Sequence, residues 1–513
     1  MSDEQGPGQS GQSGDWKPIL AELERRRGIA RGMGGPERVA RLMTARGKLD
    51  VRARLDRLFD AGSFREIGPL VGGTQAPGDA LVAGFGRVAG RTVMAAAEDF
   101  SVLGGSIGHA NMAKRYRACE LALQERVPLV FMLDGAGHRL TDTGGQGRAP
   151  NDLLALADLG GQVPMVCLVL GPAAGHGALA APLSDFVVMT EAAAMFTGGP
   201  PLVKAAVGEE VTKEELGGVK VCSEVAGTAH YAARDDEEAI DVARRYLGHF
   251  PQNRHGSPPR REGPDTGPRL LDDLLEVIPA NDRKPYKMHR VLKRLCDEGA
   301  YLEIQPRFGR AIVCALAFLG GRSCALVANN PWVRSGSLDT PAAQKASDFL
   351  GTVDAFHLPV VFLTDNPGVM AGTKAEQSGI LKWAGRMFQA ERRLRGPKIH
   401  VTFRKAFGFG STTMAHNPFD RQTLHFSFPS LTMSSMPAQS GGVGAKLSQA
   451  ERDRIQAEQR ESAWRMASGM GTDDVIDPRE LRNAILGGLE LAGERLAQPS
   501  PQGSPSPTDR NGE

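Results

Sequence analysis

The chain has 513 residues, which is enough for two or three domains with separate buried cores. Its 61 Lys and Arg residues nearly balance 59 Asp and Glu, and this argues against a nucleic-acid partner, which requires a concentrated basic face. The six cysteines are scattered without a Cys-x-x-Cys pair, which argues against a zinc ribbon or a disulfide framework and predicts a reducing, cytoplasmic compartment.

The two ends of the chain, 1–15 and 498–513, are rich in Gly, Ser, Pro and Gln and are predicted to be disordered. The first is polar and acidic, so we expect no secretory signal. The most apolar stretch, 163–183, is interrupted by Gly171-Pro172 and by Gly175-His176-Gly177. It therefore predicts a buried strand, a turn and a helix, and no membrane partner is expected.

One stretch of the chain occurs twice. VPLVFMLDGAG (Val127 to Gly137) returns as LPVVFLTDNPG (Leu358 to Gly368), and we call the difference between their starting positions the repeat offset. Matches at one offset indicate an internal duplication of a whole domain, much longer than a solenoid repeat. Other matches at the repeat offset are 90–94 with 321–325, 105–106 with 336–337 and Lys114 with Lys345, and 164–177 matches 397–410 at nearly the same offset.

A segment rich in Pro, Gly and charged residues separates the two copies. It runs from Asn253 to Arg269 and is typical of an interdomain linker. The predicted division is an N-terminal domain over 16–262, a linker over 263–268 and a C-terminal domain over 269–497.

Both halves alternate apolar runs with helical segments. LVFML (129–133) and VVFLT (360–364) are apolar without alternation, as expected for strands that are covered on both faces. A helical segment such as 110–126 precedes the first of them. This order predicts an α/β fold with parallel strands and right-handed crossovers.

Each half contains two apolar strands that end in a glycine-rich turn before a helix. Backbone N–H groups at a helix start can bind an oxygen that carries negative charge, and two converging turns would form an oxyanion hole. Glycines that only permit tight packing are the alternative for any single turn, but four turns in duplicated register favour function. The turns lie at 134–137, 171–177, 365–373 and 404–410.

Several longer stretches resemble one enzyme family. They are 99–139, FTGGPPLVKAAVGEEVTKEELGG (196–218), NPGVMAGTKAEQSGILKWAG (366–385), FRKAFGFG (403–410) and MGTDDVIDP (470–478). Together they resemble the carboxyltransferase (β) subunit of biotin-dependent acyl-CoA carboxylases, over about residues 40–495. The most specific part of the resemblance is VTKEELGG (211–218).

The resemblance implies two tandem crotonase-like domains, with the acyl-CoA in the N-terminal half, carboxybiotin in the C-terminal half and the working site at a dimer interface. The carboxyl group would pass from carboxybiotin to the α carbon of the acyl-CoA through a thioester enolate. Two anions then develop, one on the thioester and one on the biotin ureido oxygen, so two oxyanion holes are needed. Carried over by position, Ala136, Gly137, His176 and Gly177 would face the thioester, and Gly372, Thr373, Gly408 and Phe409 would face biotin.

Biotin itself is expected on another polypeptide. The chain has no A-M-K-M biotin-attachment sequence and no ATP-binding signature. The resemblance therefore implies a separate biotin carboxylase and biotin carrier subunit as partner, and a homo-oligomer, a hexamer built from dimers.

The chain departs from the family's pattern at the turns, where it has Ala136, His138, His176 and Phe409. For the two histidines, a packed or solvent-facing imidazole is the simpler interpretation and an acid/base role is the alternative. For Phe409 we expect core packing. Two other functions stay open: an acyl-CoA decarboxylase or transcarboxylase of the same fold, and a non-catalytic paralogue that assembles with an active β subunit.

Overall fold

The computed structural model describes residues 16–139 and 150–497, so the predicted disordered ends lie outside the described residues. The N-terminal half forms a mixed sheet of eight strands, in the order β1-β2-β3-β4-β5-β6-β8 with β7 paired to β5. The first three strands are antiparallel, and the pairs from β3 onward are parallel. The strands are β1 Arg65–Ile67, β2 Leu81–Val88, β3 Arg91–Glu98, β4 Leu129–Gly135, β5 Met165–Ala174, β6 Phe186–Thr190, β7 Ala194–Phe196 and β8 Tyr231–Ala233.

The C-terminal half repeats this sheet. Its order is β16-β14-β13-β12-β11-β10-β9 with β15 paired to β13, and again an antiparallel edge continues into parallel strands. The strands are β9 Tyr301–Ile304, β10 Ile312–Leu319, β11 Arg322–Asn329, β12 Val360–Asn366, β13 Lys398–Phe407, β14 Leu424–Ser427, β15 Thr432–Ser434 and β16 Asp474–Val475.

Helices cover the faces of both sheets, which explains why every residue of β4 and β12 is buried. In the part of the chain that the structure describes, no helix is long and apolar enough to cross a membrane. The helices of the N-terminal half are α1 Trp16–Arg31, α2 Pro36–Leu42, α3 Val51–Leu58, α4 His109–Glu125, α5 Asp152–Asp158, α6 Pro200–Val207, α7 Lys213–Gly217 and α8 Asp236–Gly248. Those of the C-terminal half are α9 Leu274–Val277, α10 Met288–Leu295, α11 Thr340–Ala355, α12 Thr373–Gln377, α13 Ile380–Arg393, α14 Gly408–Thr413, α15 Ala438–Gly444, α16 Gln449–Arg460, α17 Ser462–Ser468, α18 Leu481–Leu491 and α19 Gly493–Ala497.

The duplicated register is visible in individual hydrogen bonds. The Ile107 amide donates to the Gly137 carbonyl over 2.8 Å, and the Leu338 amide donates to the Gly368 carbonyl over 3.2 Å. Leu338 is separated from Ile107, and Gly368 from Gly137, by the repeat offset, so the two bonds are equivalent in the two copies. The predicted α/β fold with an internal duplication is therefore confirmed, whereas the exact domain boundaries and the linker at 263–268 stay predictions.

The two halves share one hydrophobic core, which contains buried residues from both sheets. Phe250, just after α8, packs edge-on against Phe356, just after α11, with ring centroids 5.3 Å apart. Beside them the Ser323 hydroxyl donates to the His249 carbonyl over 2.8 Å. The sheets are therefore joined by packing as well as by the chain.

Candidate active site

The two glycine turns of the N-terminal half meet at one edge of the sheet. β4 and β5 are parallel neighbours, so the turns that follow them lie side by side. At Gly137 the backbone has φ +83°, and a Cβ atom there would lie only 2.8 Å from the Ala174 carbonyl oxygen. This close approach requires glycine for both conformation and space.

Some backbone N–H groups in the turns after β4 and β5 are not used in hydrogen bonds within the part of the protein that the structure describes. The Ala136 amide donates to the Gly104 carbonyl over 3.0 Å, so it is already used. Among the described residues the Gly137 amide has no acceptor. Gly177 begins a short 3₁₀ helix, whose first amides have no partner within the helix. The structure thus brings together Gly137, His176 and Gly177 as predicted, and leaves Ala136 as an exposed neighbour without a spare N–H.

A chain of buried charged groups lies beneath these turns. The His176 Nε2 atom lies 2.5 Å from an Asp152 carboxylate oxygen, and the other carboxylate oxygen accepts from Arg115 Nε over 2.6 Å. Arg115 also donates to Glu98 over 2.9 Å, and Glu98 accepts from the Asp134 amide over 2.8 Å. The chain therefore links the turn after β4 to the imidazole in the turn after β5.

Burial and charge shift two pKa values in this chain. Burial alone would raise the pKa of Asp152, but the hydrogen bond to His176 and the charge of Arg115 outweigh it and lower that pKa to about 2. Burial raises the pKa of Glu98 to about 7, against the opposing influence of Arg115 and the Asp134 amide. Asp152 is therefore a permanent anion that holds His176 in place.

Glu98→Gln is expected to reduce the pH dependence of stability between about pH 5 and 8, leaving the part due to the buried Asp185, whose pKa burial also raises to about 7. The folded-state pKa of Glu98, about 7, lies above the ordinary 4.5, so the stabilising contribution is complete below 4.5 and is lost as pH rises through 7. The loss is about 3 kcal/mol. Gln keeps an acceptor for the Asp134 amide and does not titrate.

Thermal denaturation midpoints at the two ends of this pH range measure the effect of Glu98→Gln. Glu120→Gln, on the exposed face of α4, is the control and should behave as wild type. An unchanged pH dependence in Glu98→Gln would contradict the raised pKa.

The second pair of turns, in the C-terminal half, has the same close packing but different donors. A Cβ atom on Gly410 would lie 2.7 Å from the Gly368 carbonyl carbon, so these turns also touch. Here the Gly368 amide is used, because it donates to the Asn366 side chain over 2.7 Å. Gly408, with φ +57°, begins α14, whose first amides have no partner within the helix.

Three predicted site residues of this half are exposed. Gly372 and Thr373 lie at the start of α12, and no atom lies within 4 Å of the place where a Gly372 Cβ would be. Phe409 is 41% exposed, with its ring edge-on to Phe388 at 5.9 Å. The expectation that Phe409 packs in the core is therefore wrong, because its place in the first turn of α14 points it away from the sheet.

Sequence reasoning missed the charged groups that support the turns. Glu98 and Arg115 correspond to Asn329 and Ala346 at the repeat offset, so the N-terminal half alone has this chain of charges. Charged residues in one copy that stand opposite uncharged residues in the other are the sequence signal that could have identified this chain of charges. Asn329 keeps one function of Glu98, since its side chain accepts from the Asp365 amide over 3.2 Å.

Each half also contains a buried aspartate at the end of the strand before the first turn. Asp134 is bonded to Arg54 at 2.9 Å and to Lys48. Asp365, its counterpart, is bonded to Arg404 at 2.8 Å. The two aspartates are duplicated, but their partners come from different parts of the two halves.

Comparison with known proteins gives one consistent result. The carboxyl transferase domain family matches residues 43–500. The propionyl-CoA carboxylase carboxyltransferase subunit of Haloferax mediterranei is 33% identical, over 94% of this chain and 97% of that protein. The methylmalonyl-CoA decarboxylase subunit alpha of Veillonella parvula is 31% identical, over 91% of this chain and 95% of that protein.

A solved structure is similar over nearly the whole chain. It is the hexameric transcarboxylase 12S with methylmalonyl-CoA and methylmalonic acid bound, at a TM-score of 0.88 and 31% identity. The match covers 96% of this chain and 98% of that one.

Proposed function

Because the chain belongs to the carboxyl transferase domain family, we propose that its two pairs of turns are the two oxyanion holes of one carboxyl transfer site. The family confirms the predicted enzyme: a biotin-dependent carboxyltransferase with a crotonase-like fold that acts on acyl-CoA thioesters. The assignment of each pair of turns to a substrate is our proposal. The observation that carries it is the Gly137 amide, which has no acceptor among the described residues and lies beside the start of the Gly177 helix.

In the N-terminal half, Gly137 and Gly177 would bind the thioester oxygen as it becomes an enolate. Rigid N–H donors stabilise such an oxygen more in the transition state than in the ground state, because they are already oriented toward the developing charge. Gly137 cannot move easily, since its carbonyl accepts from Ile107 and its backbone lies against Ala174. The turn is thus held in place for this purpose.

In the C-terminal half, we place carboxybiotin at Gly408 and Phe409, with Gly372 and Thr373 at the rim. The first amides of α14 are suited to the ureido oxygen, and the exposed Phe409 ring offers an apolar surface to the bicyclic group. When bound, carboxybiotin supplies the carboxyl group. Open space around Gly372 leaves room for a carrier-bound group to approach.

The purified chain, supplied with malonyl-CoA and methylmalonyl-CoA with and without free biotin, tests the main proposal. Turnover that requires biotin supports carboxyl transfer, and turnover without biotin supports decarboxylation. If the chain gives no turnover with either and co-purifies with another β subunit, the catalytic proposal is wrong and the non-catalytic paralogue is supported.

One observation favours decarboxylation as a second function. Loss of CO2 from a malonyl thioester leaves an enolate that needs a proton at carbon, and the imidazole of His176 lies in the turn beside the proposed thioester site. Asp152 holds its Nε2 atom, which leaves Nδ1 to exchange a proton. In biotin-dependent transfer, by contrast, the family mechanism assigns the α-proton to the biotin nitrogen.

His176→Gln separates the two functions. We expect decarboxylation to fall by about 100-fold, because general acid catalysis is lost. Biotin-dependent transfer should fall much less, since the backbone amides remain. Initial rates of CO2 release and of carboxybiotin formation measure the two activities, and His138→Gln, on the exposed neighbouring ring, is the control. Equal losses of both activities would refute a specific proton-donating role.

The assembly of the chain is also a proposal, supported by its relatives. We propose a homo-hexamer that receives biotin from a separate biotin carboxylase and biotin carrier subunit in the cytoplasm. The hexameric 12S neighbour supports the first part, and the six free, buried cysteines are consistent with a reducing compartment. Sedimentation at several protein concentrations would test the hexamer.

A further inference from the structure

Three buried histidines of the C-terminal half come together away from the turns. His400 lies on β13, His425 on β14, and His416 three residues after the end of α14. Their ring centroids are 4.5 to 5.3 Å apart, and one nitrogen of each ring lies within 4.8 Å of the other two. All three residues are at most 5% exposed.

One nitrogen of each ring lacks a partner in the described part of the chain. His400 Nδ1, His416 Nε2 and His425 Nε2 make no hydrogen bond to any residue that the structure describes. Buried polar atoms without a partner are rare in folded proteins because each has lost its hydration without compensation. Three such atoms in one place therefore need an explanation.

Two threonines orient two of the rings. The Thr364 hydroxyl lies 2.9 Å from His400 Nε2 and 3.3 Å from the Met414 carbonyl oxygen. When it donates to that carbonyl it accepts from Nε2, and in this tautomer His400 has its lone pair on Nδ1. Thr402 binds His416 at Nδ1 over 2.7 Å, and Nε2 of that ring has no partner among the described residues. Hydrogen bonds from the outer ring nitrogens are the usual support of histidine metal ligands.

We propose that His400, His416 and His425 bind one divalent transition-metal ion, Zn2+, through His400 Nδ1, His416 Nε2 and His425 Nε2. Imidazole nitrogens suit Zn2+, which accepts three of them with a water as fourth ligand. At Zn–N distances of about 2.0–2.1 Å the nitrogens would stand about 3.4 Å apart, so the rings close inward by small rotations. Mg2+ and Ca2+ are poor candidates, because they prefer oxygen ligands.

The bound ion would act as a structural clamp. It would join two parallel strands to the segment that follows α14, and α14 begins at Gly408 and Phe409, the turn proposed to face biotin. Because the nitrogens are buried, the ion would not contact the reacting groups. The ion would therefore fix the position of α14. This role does not depend on which carboxyl transfer reaction the chain performs.

Metal analysis of the full-length chain, purified without a histidine tag, tests the proposal. We expect about one Zn2+ per chain by mass spectrometry, and after chelation one equivalent of Co2+ should give the visible absorption bands of a four-coordinate nitrogen site. If the chelated wild-type chain binds neither Zn2+ nor Co2+ stoichiometrically, the proposal is wrong.

Variants show whether the three histidines are the ligands. His416→Asn and His425→Gln should each weaken Zn2+ binding by about 100-fold or more, and Thr402→Val by about 10- to 100-fold. His289→Gln, a half-buried ring bonded to Glu303, is the control and should bind as wild type. Undiminished binding in both histidine variants would overturn the assignment. If neither variant folds, the Co2+ spectrum of the wild-type chain decides, because nitrogen ligation gives a different spectrum from oxygen ligation.

Discussion

Gly137→Val is expected to abolish turnover while the fold persists. The residue has φ +83°, and a side chain would start 2.8 Å from the Ala174 carbonyl oxygen, so the two turns would be forced apart. The Gly137 amide would then leave the thioester oxygen, and loss of one such donor lowers kcat by about 100-fold or more. Steady-state kinetics with the acyl-CoA substrate measures the effect.

Gly90→Val is the matched control. Gly90 joins β2 to β3 with φ +79°, almost the same conformation, but no atom lies within 4 Å of its would-be Cβ. Both variants therefore incur the conformational cost of a positive φ, about 1–2 kcal/mol. The close approach to Ala174 adds a further cost in Gly137→Val, so we expect its thermal midpoint to be the lower of the two while the chain still folds, and full activity only in Gly90→Val. Unchanged activity in Gly137→Val would eliminate the proposed first oxyanion hole.

Arg54→Met is expected to lower the free energy of unfolding by about 3–5 kcal/mol, because it leaves two buried carboxylates with one partner fewer. Arg54, on α3, is fully buried and bonds to Asp134 at 2.9 Å and to Asp236 at 2.8 Å. It thereby ties α3 to β4, the strand before the first turn, and to the start of α8. Urea denaturation at neutral pH, or the thermal midpoint, measures the loss.

The same helix provides the control for this prediction. Arg57 lies three residues later and bonds to Asp241 over 2.7 Å, but both side chains are exposed. Arg57→Met should therefore cost no more than about 1 kcal/mol. Equal losses in the two variants would mean that the buried ion pairs of Arg54 contribute no more to stability than the exposed pair of Arg57.

The fold was predictable because its evidence is local and repeated. A strand such as β4 is apolar almost throughout, and its copy β12, at the repeat offset, carries the same aspartate and ends in a similar turn. The Gly137 bond to Ile107 and the Gly368 bond to Leu338 show that this register persists in space. Both the parallel sheets and the convergence of the turns follow from such patterns.

The supporting side chains were not predictable in the same way. Asp152 begins α5, and nothing in the sequence shows that its carboxylate reaches His176 in another turn. The three histidines of the proposed metal site, His400, His416 and His425, are spaced in a way that matches no short metal-binding motif. Phe409 was misjudged because hydrophobic residues are usually buried, whereas the helix that contains it directs its ring outward.

The shared core has a consequence for the origin of the chain. One copy of the repeat, on its own, would expose the apolar surface that now packs around Phe250 and Phe356, and would need a second copy to cover it. Joining two copies in one polypeptide makes that encounter intramolecular, at a high effective concentration. The duplication thus resembles a homodimer made permanent, in which each copy can change without losing its partner, as the proposed assignment of one anion to each half requires.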